Sequence, residues 1–299
     1  MRTIALTSLF VLISASAVLA HGSQSHGAEA TWTFDPWIVG PLFVIGLLYA
    51  FGWWALWRRT MVGRKVRAWQ ALAYFTGWVT LTGALVSPLH WLGEHLFTFH
   101  MIEHEIVMAV SAPLLVLARP IGTLLWSLPR NCRLAAGRFL KLPLTRRIWN
   151  WLSAGRNATV LHGVAIWAWH APVLFDAAVT NVTIHRLQHL SFLLTAVLFW
   201  WSVFRRGDVG VAAWHLFVTM LHTSVLGALM ALAPRVLYEA QTATAAKWGL
   251  TPLEDQQLAG LIMWVPAGTI YAGAALALTA IWIRHSGEMQ RREHVVSAR

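Results

Sequence analysis

Charge and cysteine are what this chain has least of. Asp, Glu, Lys and Arg make up 12% of its 299 residues, about half the share found in a soluble domain. That is too little charge to solvate a globular surface, and the composition also excludes a disordered chain or a coiled coil. The single cysteine, Cys132, excludes an intrachain disulfide, a CxxC redox or zinc motif and a thiolate pair for copper. Acidic residues number 12 against 23 basic ones. The excess cations lie between apolar runs and not along a solvated face, so no nucleic-acid partner is expected. A phosphate-binding loop, a dinucleotide fingerprint and a Ser–His–Asp set in a usable context are all missing, so the chain is not expected to be an enzyme.

What is plentiful is apolar. Hydrophobic residues reach 57%, with 19 Trp and 13 Phe, and several runs approach the roughly 20 residues that cross a bilayer as a helix. Arg2, the apolar stretch 4–19 and the ending Val18-Leu19-Ala20 read as a signal peptide over 1–20, with cleavage leaving His21 first. A short periplasmic segment with His21 and His26 follows over 21–36. Seven apolar segments come next, near 37–57, 68–86, 97–118, 158–179, 184–204, 212–233 and 258–283. All are expected to be helices, because a backbone in lipid must satisfy its own hydrogen bonds. The expected fold is therefore an all-α, polytopic membrane protein, with a seven-helix domain over 37–283 and a basic cytoplasmic tail over 284–299.

Basic residues orient the spans. Nineteen of the 23 Lys and Arg fall after spans one, three and five and in the tail, whereas Arg186, Arg235 and Lys247 are the three on the other side. By the positive-inside rule the N-terminus is outside and the C-terminus inside, in agreement with the leader. The longest loop, 119–156, alternates Trp126, Phe139, Trp149 and Trp151 with cations and reads as a segment lying on anionic lipid headgroups.

Histidine supplies the chemistry. His100 and His104 open span three, and His185 and His189 open span five; each pair has the i, i+4 spacing that puts two imidazoles on one helix face. His170 lies in the outer half of span four, His90 and His95 lie beside Glu94 in an outer loop, and His222 lies near the middle of span six. Ionisable groups in lipid cost about 2.5–3.5 kcal/mol on insertion scales and normally face a partner inside the bundle. Such imidazoles, with thioethers such as Met101 and Met263, suit copper ahead of zinc or iron. Glu103 and Glu105 flank the first pair, where they can hydrogen-bond an imidazole lying behind the ligands. The last span opens with Asp255-Gln256-Gln257, which can cap that helix, while the two Gln entering an apolar helix need partners that the histidines at the same depth would supply.

His100-Met101-Ile102-Glu103-His104, Trp169-His170-Ala171-Pro172, His185 through His189, and Asp255-Gln256-Gln257 with Gly260, Met263, Trp264 and Pro266 resemble the motifs of the CtaG family of cytochrome c oxidase assembly factors. The resemblance covers nearly everything after the leader. It does not extend to the single-span copper chaperone of the same name, which uses cysteine ligands. The resemblance implies an integral protein of the bacterial cytoplasmic membrane that is needed to form active haem–copper oxidase, with oxidase subunits as partners; the histidines add an expected copper-handling role, for which a periplasmic copper chaperone is a candidate partner. Carried over by position, His100, His104, His170, His185 and His189 become the ligand set, supported by Glu103, His95, His222, Asp255, Gln256, Gln257 and Met263. Two alternatives stay open, a b-type haem protein with histidine axial ligands and a copper transporter with a path inward through His222.

Overall fold

The computed structural model describes residues 31–205 and 208–297. The leader expected over 1–20, and His21 and His26, lie outside them. The described residues form helices and their connections, with no strand among them.

Helix α1 (Pro36–Arg59) starts at Asp35, whose carboxyl accepts from the Trp37 N–H at 3.0 Å, and ends in Arg58 and Arg59. Gly63, in the left-handed conformation, turns the chain into α2 (Arg64–Val86). Ser87 is extended ahead of Pro88, so α2 stops and α3 (Pro88–His95) leaves it at 45°. The next helix, α4 (Phe97–Leu117), is the most enclosed of the long ones.

A wider turn interrupts α4 over Ile106–Ser111. Pro113 offers no N–H to the Ala109 carbonyl, and the local register shifts so that the Ala112 N–H reaches Val107. The Met108 carbonyl, which Ala112 would otherwise have bonded, accepts instead from the Trp200 indole at 2.9 Å.

Three short helices follow: α5 (Pro120–Ser127), α6 (Arg130–Lys141) and α7 (Pro143–Leu152). Neither α6 nor α7 buries a residue, and Arg59 and Arg133 lie over the Trp126 ring at 5.1 and 4.1 Å. The amphipathic, Trp- and Arg-bearing loop read from the sequence is thus helical.

The span expected over 158–179 is not one straight helix. It consists of α8 (Gly155–Trp169) and α9 (Pro172–Thr180), bent by 73° at His170-Ala171. Pro172 forces Ala171 into the extended region and restarts the helix in a new direction. Helices α10 (Val182–Arg205) and α11 (Val209–Ala231) follow, then the one-turn α12 (Glu239–Thr242) and the long α13 (Pro252–Ser297).

Five of these helices are long and apolar enough to cross a membrane: α1, α4, α10, α11 and the Pro252–Arg284 part of α13. The count rises to seven if each bent pair, α2 with α3 and α8 with α9, is one span. The helices are apolar outward as well as inward, with Phe43, Trp54, Leu194 and Phe217 among the exposed side chains. That surface needs lipid around it, so the protein is a multi-pass membrane protein.

The core runs between α4, α8, α10, α11 and α13, with Met101, Phe192, Phe199, Trp200, Met263 and Tyr271 in one buried cluster. Helices α11 and α13 touch backbone to backbone at Gly227 and Gly260. A Cβ on Gly260 would lie 2.4 Å from the Ala231 nitrogen.

Candidate metal site

The site begins with the way α4 starts. Leu96 is extended, so the first N–H groups of α4 have no partners within their own helix. Asp255 of α13 supplies them: its carboxyl oxygens accept from the Phe97 and Thr98 N–H groups at 2.8 and 2.9 Å and from the Thr98 hydroxyl at 2.7 Å. An acidic side chain thus caps a helix 157 residues away in sequence and fixes where its first turns lie. Those turns carry His100, Glu103 and His104, all buried, with the His100 and His104 rings 4.3 Å apart.

Both proline breaks deliver a histidine to the same place. His90 is in the first turn of α3, two residues after Pro88. His170 ends α8, two residues before Pro172, where the Tyr238 hydroxyl donates to its carbonyl at 2.7 Å. The Asn181 side chain accepts from the Thr183 and Ile184 N–H groups at the start of α10. One turn later come His185 and His189, with rings 4.6 Å apart and Nε2 atoms 2.8 Å apart.

These six imidazoles form one connected cluster. His90 touches His185 at 5.5 Å between ring centres, and His185 touches His100 at 5.5 Å. His189 touches His104 at 5.0 Å, and His104 touches His170 at 6.0 Å. Glu103 sits among them. Its Oε1 accepts from His90 Nδ1 at 2.8 Å and lies 3.5 Å from His189 Nε2. Gly93 makes room for the carboxyl, since a Cβ there would be 2.9 Å from Glu103 Oε2. One donor atom from each of His90, Glu103 and His185 falls within 4.8 Å of the others.

Many of these donors have no protein partner. Both nitrogens of His100 and of His104, Nε2 of His170, Nδ1 of His189 and Oε2 of Glu103 are sealed from solvent without a hydrogen bond. Each such group costs about 1–3 kcal/mol when left unmade. His170 Nδ1 lies 2.7 Å from the Ile166 carbonyl, which can only accept, so the proton is on Nδ1 and Nε2 presents a free lone pair. His90 donates to Glu103 in the same sense, which frees its own Nε2. An imidazole that donates through one nitrogen to a carboxylate or carbonyl and offers the other is the arrangement of a metal ligand. With Met101 and Met263 packed in the apolar core, the donor set is imidazole and carboxyl, which is compatible with copper and equally with zinc or iron.

Two cavities reach the cluster. A cavity of about 670 Å³ at the N-terminal end of α1 is lined by Asp35, His90, Glu94, His100, His185 and Arg186. A second, apolar one of about 890 Å³ runs between α1, α2, α4 and α10 and has His189 and Arg186 in its wall. Arg186, which lines both, is paired with Asp35 at 2.6 Å.

The structure brings together His100, His104, His170, His185, His189 and Glu103 from the set read in the sequence. It adds His90, which a loop reading had passed over in favour of His95; the signal was Ser87-Pro88, a helix start that puts position 90 in an ordered first turn. His95 points elsewhere, stacked on Trp91 and bonded to its carbonyl at 2.7 Å. His222 lies against Gly163 of α8, next to His162. Gln256 and Gln257 do not partner histidines: they bond the backbone of Leu237, Arg235 and Ala233 and hold the preceding connection. Asp255 serves α4 as described, and Met263 is packed in the apolar core. Glu105, also buried, lies toward Tyr271.

A multi-pass helical membrane protein with a buried histidine–carboxylate cluster is the class these features define. The profile of the cytochrome c oxidase caa3 assembly factors (Caa3_CtaG) matches residues 47–285, and the chain belongs to that family. Uncharacterized proteins of Mycobacterium bovis and Mycobacterium tuberculosis are each 28% identical to it over 276 residues, and one of Mycobacterium leprae is 26% identical over 282. Each of these alignments covers 88% of this chain and 41% of the relative, so the chain spans about two fifths of the length of the curated relatives it matches. No solved structure matches it.

Proposed function

We propose that this protein binds copper at the outer face of the bacterial cytoplasmic membrane and passes it to a cytochrome c oxidase during assembly. The observation that carries this reading is the cluster of six imidazoles around Glu103, with nitrogen lone pairs that no protein group satisfies. Orientation follows from charge. The cluster is reached from the N-terminal end of α1, whereas Arg58 and Arg59 end that helix and Arg64 starts the next. The basic end faces the cytoplasm, so the histidines face outward, and the chain crosses seven times with its C-terminus inside. Copper is cargo here: neutral imidazoles hold it, and ligand exchange with a periplasmic chaperone on one side and an oxidase subunit on the other moves it, with no covalent bond made or broken in a substrate. Imidazoles in direct contact with one another and with Phe175 and Phe192 favour an ion over haem, whose axial ligands must face each other across an open slot.

The test is the variant H104N/H189Q in the native host. Copper on the purified protein and oxidase activity of the membranes should both fall to background, and copper added to the medium should restore part of the activity. A variant with full oxidase activity and no copper overturns the reading and leaves a scaffold.

A further inference from the structure

We propose that the corner between α6 and α7 seats the headgroup of an anionic phospholipid, independently of any metal in the histidine cluster. Pro143 keeps Leu142 out of the helical region, so α6 stops at Lys141 and α7 starts afresh at Pro143. The turn leaves a cavity of about 410 Å³ lined by Lys141, Pro143, Arg146, Arg147 and Asn150.

The charge of this corner has no counterpart nearby in the chain. Residues 119–156 hold eight cations and no Asp or Glu. Among the described residues, no ion pair joins Lys141, Arg146 or Arg147 to a carboxylate. Three cations around one concavity repel each other unless an anion sits between them. A phosphate suits that place. Each guanidinium offers a planar fork of N–H donors to two of its oxygens, and the lysine ammonium adds a point charge.

Helix α7 also has an apolar side. Leu144, Ile148 and Trp151, spaced i, i+4 and i+7, are each half or more exposed. Arg146 and Asn150 take the opposite side of the helix, with Arg147 on the flank between. Neither α6 nor α7 buries a residue, so among the described residues nothing covers that apolar side. Trp149 of the same helix lines the apolar cavity between α1, α2, α4 and α10, and its ring lies 5.4 Å from Trp201 near the end of α10. Helix α7 therefore lies where the lipid-facing helices end, at the level of lipid phosphates. A phospholipid meets both sides at once, with phosphate on the cations and acyl chains on Leu144, Ile148 and Trp151. An acidic protein surface would satisfy the cations alone.

The experiment titrates the detergent-purified full-length protein with phosphatidylglycerol, phosphatidylcholine or inorganic phosphate. Native mass spectrometry counts bound lipid, and the unfolding temperature is followed in parallel. Wild type should retain phosphatidylglycerol in preference to phosphatidylcholine and unfold at a higher temperature with it. K141Q/R146Q/R147Q should bind phosphatidylglycerol about tenfold or more weakly, and R147Q alone should shift in the same direction. R130Q/R138Q/R156Q loses as much charge from the same segment outside the cavity and should bind like wild type. Gel filtration of each variant confines the comparison to folded protein. Equal retention of the two lipids overturns the proposal and leaves the corner to an acidic protein partner. Equal weakening in both triple variants means diffuse attraction without a seat and overturns it. Inorganic phosphate that stabilises as much as the lipid overturns it as well, by making the ligand a free anion.

Discussion

Glu103 has one oxygen on His90 and the other without a partner, in a position shut off from solvent. A carboxyl group there does two things: it fixes the proton on His90 Nδ1, and it supplies the negative charge that a cation in a low-dielectric site requires. Replacing Glu103 with Ala should lower copper affinity by roughly 10- to 100-fold, the usual cost of removing such an orienting partner. Chelator competition on the purified protein measures it, and unchanged affinity would make Glu103 a packing residue. Asp255 acts through another helix. Asp255→Ala removes three hydrogen bonds at the start of α4 and should cost about 2 kcal/mol of stability. Its unfolding temperature in detergent should fall, and copper binding should weaken, because the turns bearing His100 and His104 lose their anchor.

At the scale of elements, the two bent helix pairs matter most. Each bend follows from one proline and from the extended residue that proline imposes ahead of it, Ser87 in one case and Ala171 in the other. The bends bring His90 and His170 to α4 and α10, which carry the remaining four imidazoles. The i, i+4 histidine pairs were legible in the sequence because helix geometry is local. The approach of α3 was not, because hydropathy marks which residues are in lipid and says nothing of how a short helix turns at the end of a span. Helix contact depends equally on small residues. Gly260→Ala puts a methyl 2.4 Å from the Ala231 nitrogen and 2.7 Å from the Gly227 carbonyl oxygen, forcing α11 and α13 apart. Overpacking of this kind costs about 1–3 kcal/mol. The variant should accumulate less in membranes and unfold at lower temperature, with copper stoichiometry preserved in the folded fraction.

The whole molecule offers a direct test of orientation. Cys132, the single cysteine, is exposed on α6 within the basic segment. A membrane-impermeant thiol reagent should label it in inside-out vesicles and leave it unlabelled in intact spheroplasts. Labelling from the outer side would invert the proposed topology and put the histidine cluster on the cytoplasmic face.

The amino-acid sequence by itself determined that the chain is helical, that it crosses a membrane several times, and that histidines recur on shared helix faces. Each of these follows from hydrophobicity over some twenty residues or from one helical turn. Tertiary structure alone decided that His90 belongs with the other imidazoles and His95 does not. It also decided that Asp255 caps a helix 157 residues earlier and that Gln256 and Gln257 hold a loop in place of histidines. Those pairings join segments far apart in the chain. They depend on where proline bends and glycine contacts let whole helices pack, and no local pattern carries that information.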